Sequence, residues 1–195
     1  MAAFEGYIYE GIAQSLRDLP RELAADTYVI SVFIRTEQDD ARRPYLLVGV
    51  NTEQQVAASD VGEADARWNP SYWLQDPQRV LAESARDHDG ARLRRPWLER
   101  LGLWFGDDEQ GGAHPGWFDN RTGQIGSEFR ELVIRVIRRL HADGVIAEVF
   151  GQPLPVIVRE YEQFEGIAVQ SERANPAGVV DEFAAWVRER ASSAV

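Results

Sequence analysis

The sequence predicts an α+β fold in which a mostly antiparallel sheet, formed by two hairpins, packs against several helices. Short runs of β-branched and aromatic residues occur as two pairs along the chain, and each pair is typical of a hairpin. Amphipathic patterns with a helical period lie at both ends of the chain and between these pairs. Strands and helices do not alternate in a regular βαβ order, which disfavours a doubly wound parallel sheet.

The length and composition are those of one globular domain. The chain has 195 residues, of which 44% are hydrophobic and 27% are charged, and these fractions are ordinary for a folded protein. We therefore expect a single α+β domain over residues 1–195, with a long irregular loop at about 106–126.

The N-terminal part is predicted to be a helix followed by the first hairpin. Pro20 is expected to kink or divide the helix. The apolar residues of the helix recur at steps of three and four: Ile8, Ile12, Leu16, Leu19 and Leu23. The runs Tyr28–Arg35 and Tyr45–Val50 are typical of strands, with Asp39 and Asp40 at the turn between them.

The middle of the chain is predicted to contain short helices and then the loop. Thr52 can cap a short helix, with Gln55 returning the hydrogen bond as in a capping box. Asp76-Pro77 predicts the start of another helix that ends near Asp89-Gly90, and Pro96–Trp104 is a further candidate. The stretch rich in glycine and acidic residues that follows shows no sustained period, and this predicts the irregular loop.

The C-terminal part is predicted to begin with the clearest helix of the chain. Ser127 can cap this helix and Gly144 can end it. Six apolar residues share one face of it: Phe129, Leu132, Val133, Val136, Ile137 and Leu140. Val156–Val158 and Ile167–Val169 are predicted to form the second hairpin, and Asn175-Pro176 predicts the start of a last amphipathic helix.

The charge of the chain favours a basic protein partner over a nucleic acid. The formal net charge is −11 and the pI is near 4.8. Affinity for nucleic acid comes mainly from the neutralisation of phosphates, so general binding to nucleic acid is disfavoured. An acidic surface suits a basic partner, but acidity also serves solubility alone, and both interpretations are open.

The sequence also indicates a cytoplasmic protein with no membrane association. There is no cysteine, which suits a reducing compartment. The N-terminus lacks the features of a signal peptide, and no apolar run approaches the roughly 18 residues of a membrane helix. All 21 basic residues are arginine, a bias typical of a bacterial gene that is rich in G and C.

Motifs for several kinds of catalysis are absent. Cysteine chemistry and lysine Schiff bases are excluded by composition, and neither Gly-x-Ser-x-Gly nor a phosphate-binding glycine loop occurs. The histidines His88, His114 and His141 are too scattered for a zinc site on one helical face. We therefore assign no cofactor, metal or catalytic residue, and an enzyme is less expected than a binding protein.

Several candidate binding residues lie in the expected loop. Asp107, Asp108 and Glu109 place three carboxylates together, and they either hold a hard cation or form a solvated acidic loop. His114 and Trp117 lie in the same stretch, where functional residues are often found.

A second group of candidates follows the first hairpin. The segment Arg67–Trp73 contains three aromatic residues, which are favoured in protein interfaces and are equally suited to a core. We expect Trp68 and Trp73 in the core and Tyr72 at the surface. Asn51 and Glu53 at the strand end and Arg67 in the following segment are polar residues well placed for a binding site.

Three short motifs in this chain resemble a bacterial domain-of-unknown-function family. They are Asn51-Thr52-Glu53, the Arg-Trp-x-Pro-x-x-Trp segment at Arg67–Trp73, and Asn175-Pro176. Their order and spacing cover most of the chain, but the stretch at 106–126 departs from the family pattern. The resemblance implies an immunity-like protein, since small acidic bacterial proteins of this kind include immunity proteins that neutralise toxins.

Three functions are therefore open. The first is a protein-binding module, specifically an immunity protein that covers a basic toxin site. The second is a small enzyme that uses carboxylates around Glu53, with Arg67 binding an anionic substrate, and the third is a structural or regulatory subunit. The expected binding residues are Asn51, Glu53, Arg67, Tyr72, Asp107, Asp108, Glu109, His114 and Trp117. The oligomeric state is left open.

Overall fold

The computed structural model describes residues 3–112, 115–161 and 164–193. In these ranges the strands are β1 (Thr27–Glu37), β2 (Asp40–Thr52), β3 (Arg79–Leu81) and β4 (Val156–Arg159). The α-helices are α1 (Ala3–Arg17), α2 (Arg21–Asp26), α3 (Glu53–Ala57), α4 (Glu63–Trp68), α5 (His88–Arg100), α6 (Asp107–Gly112), α7 (Pro115–Ala142), α8 (Val145–Phe150), α9 (Phe164–Ala174) and α10 (Asp181–Ser193). A short 3-10 helix covers Pro70–Tyr72.

The strands form one mixed sheet in the order β3-β2-β1-β4. β1 and β2 are antiparallel, β2 and β3 are antiparallel, and β1 and β4 are parallel. This arrangement confirms the predicted α+β class with a mostly antiparallel sheet. The first hairpin lies where the sequence places it, but its turn residues are Gln38 and Asp39 and not the predicted Asp39 and Asp40, because Asp40 begins β2. Their φ angles of 53° and 58° are those of a tight hairpin turn.

The second antiparallel strand pair differs from the predicted one. The sequence pattern predicts a strand at Ile167–Val169, but these residues lie in α9. There Ile167, Ser171 and Ala174 are buried while Val169 is 57% exposed, so the buried residues follow a helical period. β4 pairs instead with β1, and β3 makes the second antiparallel pair with β2. Three apolar residues are too few to distinguish a strand from a turn of helix.

The helix predicted between Asp76 and Gly90 is also wrong, because this stretch contains β3 and α5 begins only near its end. Asp87 caps α5: its carboxylate accepts hydrogen bonds from the amides of Gly90 at 3.2 Å and Ala82 at 2.6 Å. The second bond holds Ala82 at a φ of 66°, where the chain leaves β3. α5 then continues through Pro96, where the sequence predicts a helix.

The irregular loop predicted over 106–126 is largely helical, since it contains α6 and the first part of α7. α7 therefore extends the helix predicted from Ser127 towards the N-terminus. The Phe118 ring lies edge-on to the Phe105 ring at 5.9 Å, and Ile125 is fully buried. Each interior glycine costs a helix about 1 kcal/mol, and these tertiary contacts offset that cost. His114 lies outside the described residues.

Amphipathic helices lie near the two ends of the chain as predicted, but the last one, α10, begins at Asp181 and not at Asn175-Pro176. The Asn175 side chain bonds the Val156 backbone instead. Pro20 separates α1 from α2, and α10 buries Phe183 and Val187 against the rest of the protein. Neither these helices nor any other helix in the described ranges is long and apolar enough to cross a membrane.

Helices cover the two faces of the sheet unequally. On the first face, Ile30 and its alternate neighbours pack with α1, α5 and α7 in a large core. On the second face, Val29 and Ile157 pack with Trp68, Trp73 and the helices α9 and α10 in a smaller core. Strand side chains alternate between faces, so β1 contributes to both cores. The smaller core leaves part of the second face only half-buried.

A buried ion pair fastens the end of β1 to α5. The guanidinium of Arg94 lies 2.6 Å from the carboxylate of Glu37, and their side chains are 7% and 14% exposed. Glu37 also accepts a hydrogen bond from the amide of Ser84 at 2.7 Å. Burial raises the pKa of Glu37, but the hydrogen bonds from Arg94 and Ser84 outweigh burial and hold this pKa below its ordinary value.

The outer edge of β4 is closed by side chains instead of another strand. The Val158 amide donates to Ser171 Oγ at 3.1 Å, and its carbonyl accepts from Gln170 Nε2 at 2.8 Å. The Val156 amide donates to Asn175 Oδ1 at 2.9 Å, and its carbonyl accepts from Asn175 Nδ2 at 2.8 Å. α9 and the residue after it therefore satisfy the backbone groups that an edge strand leaves free.

Candidate functional site

The two motif segments after the first hairpin come together around a buried amide. Asn51 is fully buried, its Nδ2 donates to the Tyr28 hydroxyl at 2.9 Å, and its Oδ1 accepts from the Leu74 amide at 3.1 Å. The Tyr28 hydroxyl and Trp73 Nε1 both donate to the Arg67 carbonyl, at 2.6 Å and 2.8 Å. Asn51 is therefore a support for this region and has no surface for direct contact with a partner.

Glu53 and Arg67 also come together, as a two-bond ion pair with distances of 3.0 Å and 2.6 Å. The guanidinium carbon of Arg67 lies 4.6 Å from the centre of the Tyr28 ring, and the hydrogen bond from Glu53 raises the pKa of Arg67. The Glu53 side chain is 52% exposed. Each group thus has its charge balanced by the other.

Of the two hydrogen bonds of the capping box predicted at Thr52, one is present. Its Oγ1 accepts a hydrogen bond from the Gln55 amide at 3.1 Å, as the first bond of a capping box requires. The Gln55 side chain does not return the second bond, because its Nε2 donates to the Tyr72 carbonyl at 3.1 Å. This bond ties α3 to the aromatic segment.

The aromatic segment is divided between core and surface as expected. Trp68 and Trp73 are 7% and 3% exposed, and the Trp68 ring lies 5.9 Å from Phe183 of α10. Tyr72 is 38% exposed and Leu74 is 37% exposed. One aromatic and one aliphatic side chain therefore present apolar surface beside α3.

A cleft of about 620 Å³ lies next to these exposed side chains. We name it the α2–α3 cleft, and its described lining residues are Pro20, Glu22, Leu23, Asp26, Thr52, Gln54, Gln55, Ala58 and Leu74. Two of them carry carboxylates and none is basic. Asp26 accepts a hydrogen bond from the Gln54 amide at 3.1 Å, and in the described part of the chain neither carboxylate has an ion-pair partner. The cleft therefore combines negative charge with an apolar wall.

Within the described residues, the acidic side chains predicted in the loop do not gather into a metal-binding group. Asp107 pairs with Arg42 at 2.8 Å, and Glu109 accepts a hydrogen bond from the Gly106 amide at 2.8 Å. Asp108 is exposed. Across the described residues, no group of three or more histidine, aspartate or glutamate side chains could hold a metal ion.

Trp117 lies on α7, where it is 39% exposed. Its ring meets the Phe105 ring edge-on at 5.7 Å, and the Arg121 guanidinium carbon is 5.5 Å from its centre. Trp117 is therefore a partly exposed packing residue on a different part of the molecule from the α2–α3 cleft.

Sequence reasoning missed a cationic area on the second face of the sheet. We name it the open strip, and it consists of Phe33, Arg35, Leu47, Gly49 and Arg159, all half-buried. Phe33 lies opposite Leu47 on one side and Arg159 on the other. The guanidinium carbon of Arg159 is 4.2 Å from the centre of the Phe33 ring, and that of Arg35 is 5.2 Å from it.

In the part of the chain that the structure describes, no carboxylate pairs with either arginine of the open strip. Arg159 Nε donates to Ser31 Oγ at 3.0 Å, and Arg35 lies 4.5 Å from the Tyr161 ring centre. Within the described residues neither arginine has an ion-pair partner. Burial lowers the pKa of Arg159 to about 10, Tyr161 opposes this change, and nearby Arg35 adds to it. An arginine that ends an apolar strand is the sequence signal that could have pointed to this area.

Comparisons of the chain with models of protein families, with curated proteins and with solved structures find no match. The resemblance drawn from the three motifs therefore stays a prediction.

Proposed function

We propose that this protein is a binding protein that engages a basic protein partner through the α2–α3 cleft. One observation carries the proposal: Glu22 and Asp26 line a cleft with an apolar wall, and in the described residues nothing basic balances them. A lysine or arginine side chain of a partner fits this chemistry, because its aliphatic stem can pack on Leu23 and Leu74 while its charge meets the carboxylates. The net charge of −11 would speed the encounter with such a partner.

The exposed side chains of Tyr72 and Leu74 support an interface at the same place. Interfaces depend on a few apolar or aromatic anchors inside a polar rim. Here the anchors are held by the buried Asn51 network, so little conformational freedom has to be lost on binding. In its finer form, the proposal is that the partner is a toxin and that the protein acts as an immunity protein, as the motif resemblance implies.

A small enzyme acting through Glu53 and Arg67 has less support. The two charges are paired with each other, and neither residue lines the α2–α3 cleft. A general base needs a free lone pair within reach of the substrate, and this ion pair would first have to open. A structural or regulatory subunit stays a prediction that no observation favours.

The test uses a basic peptide and then the partner itself. Acetyl-Arg-Leu-Arg-amide is titrated into the labelled protein, with acetyl-Glu-Leu-Glu-amide as the peptide control. We expect amide shifts at Glu22, Asp26 and Leu74 with the basic peptide alone. The double variant Glu22→Gln and Asp26→Asn keeps the shape of the cleft and removes its charge, so its affinity should fall about three- to tenfold.

The matched control changes the same charge elsewhere. Asp119→Asn with Glu128→Gln removes two exposed carboxylates from α7 and should leave the titration unchanged. The same proteins then serve as baits for a partner from the source cells, where wild type and the α7 control should retain a salt-sensitive partner that the cleft variant loses. Equal binding by all three would refute the role of the cleft, and a partner that is not basic would refute the proposed chemistry.

A further inference from the structure

The open strip carries positive charge that no carboxylate of the described residues pairs with. Arg35 and Arg159 project from the same face of the sheet, since Arg35 lies two residues after Phe33 and Arg159 lies opposite Phe33. The chain has 32 acidic residues against 21 basic ones, so a carboxylate partner would have been easy to supply. Arg94 differs in this respect, because it is buried and forms an ion pair with Glu37.

This arrangement compensates the charge of Arg159 only in part. Arg159 is partly desolvated beside Phe33 and Trp73, whose rings attract it weakly, and its one described hydrogen bond goes to the neutral Ser31 hydroxyl. The charge of a second guanidinium nearby opposes that of Arg159. Charges that a fold compensates poorly are expected at functional sites.

The open strip also contains unfilled space. Gly49 lies in the middle of β2, opposite Ser31, and a Cβ atom added at Gly49 would meet no atom within 4 Å. Glycine weakens a strand interior, and one common reason for it is the close approach of a ligand. Phe33 and Leu47, both half-buried, provide an apolar floor beside this space.

We propose that the open strip binds a small organic oxyanion, with Arg159 and Arg35 holding the anionic group and Phe33, Leu47 and the space over Gly49 receiving an apolar body. Guanidinium groups bind carboxylates and phosphates through paired, charge-assisted hydrogen bonds. The Ser31 hydroxyl orients Arg159 for this role. The acidity of the whole protein excludes long polyanions and leaves this local site for small ones.

The experiment titrates the protein with phenylacetate and phenyl phosphate, and with acetate and inorganic phosphate as probes that lack the apolar body. Calorimetry gives affinity, and a thermal melt gives stability with and without each probe. We expect both aromatic probes to bind more tightly than their small counterparts. The preference between the two aromatic probes shows whether the natural ligand is a carboxylate or a phosphate.

Two variants separate a binding role from a structural one. Arg159→Met should weaken binding tenfold or more while the melting temperature of the free protein stays equal or rises, since a desolvated charge is removed. Gly49→Val should also fold, because the added side chain meets open space, and it should weaken the aromatic probes more than acetate. Arg100→Met is the charge-matched control on α5, on the other side of the sheet, and should bind as wild type does.

Two results would overturn the proposal. They are the failure of all four probes to bind wild type at millimolar concentration, and unchanged binding by Arg159→Met. If the first result comes with a loss of melting temperature in Arg159→Met, Arg159 is a structural residue. None of these outcomes affects the α2–α3 cleft, which has its own variants.

Discussion

Truncation of Asn175 to alanine should destabilise the protein strongly, although the side chain is a single polar group near the end of α9. Its Nδ2 donates to the carbonyls of Val156 and Ser171, both at 2.8 Å. Its Oδ1 accepts from the Val156 amide at 2.9 Å and contacts His141 Nε2 at 3.0 Å. Alanine removes all of these hydrogen bonds at once.

The expected loss of stability depends on which of these partners can form another hydrogen bond. The Ser171 carbonyl keeps a bond from the Asn175 amide at 3.2 Å, and half-buried His141 can reach water. The amide and carbonyl of Val156 cannot do so, because Val156 is only 2% exposed. Two buried backbone groups left without partners cost about 1–3 kcal/mol each, so we expect a loss of about 2–6 kcal/mol out of a total stability of about 5–15 kcal/mol.

Urea unfolding followed by tryptophan fluorescence measures this loss, and hydrogen exchange locates it. The amides of Val156 and Val158 should exchange faster in the variant, whereas that of Val32 in the centre of the sheet should keep its relative protection. Asn69→Ala is the matched control, because Asn69 accepts one exposed bond, from the Ser71 amide at 3.1 Å, and should cost about 1 kcal/mol or less. A loss for Asn175→Ala no larger than that of the control would refute the reasoning.

Three further outcomes follow from the ion pairs and from His141. A double-mutant cycle of Glu53→Gln and Arg67→Gln, measured by urea unfolding, should give a coupling of about 1 kcal/mol or less because Glu53 is half exposed; a much larger value would contradict this. Arg94→Met should cost about 3–5 kcal/mol by leaving Glu37 buried and unpaired, with recovery in the double variant Arg94→Met and Glu37→Gln. Burial lowers the pKa of His141 below its usual 6.5 despite the hydrogen bond that its Nε2 donates to Asn175 Oδ1. Its contribution to stability should therefore be complete above pH 6.5 and decline as the pH falls towards the lower folded value, and His141→Gln should abolish this part of a pH titration of stability.

Local sequence patterns predict much of this fold because they carry its periodicity. The first hairpin and the second half of α7 follow from alternation and helical spacing, and both are confirmed. Ile167–Val169 misleads because its neighbours in the sequence do not reveal that Ser171 and Asn175 face a strand edge. The glycines of α7 mislead for a similar reason, since the contacts that hold its first turns come from Phe105, which lies outside the helix.

The candidate sites also depend on contacts between distant segments, which local sequence patterns do not reveal. The motif pattern predicts that Glu53 and Arg67 belong to one region, and the structure pairs them. No local pattern connects Glu22 with Leu74, because their shared cleft exists only after α2 and α3 pack. Arg159 meets Phe33 only through the parallel pairing of β1 and β4, and the sequence predicts no such pairing.

The way in which α9 closes β4 affects how copies of this protein meet at high concentration. A strand edge with free amides and carbonyls is a template on which another chain can add a strand, and this leads to aggregates. Here Gln170, Ser171 and Asn175 occupy that template with side chains, and the opposite edge strand, β3, is only three residues long. A substitution at Asn175 would therefore leave backbone groups of β4 unpaired. Self-association through strand addition should then accompany the loss of stability.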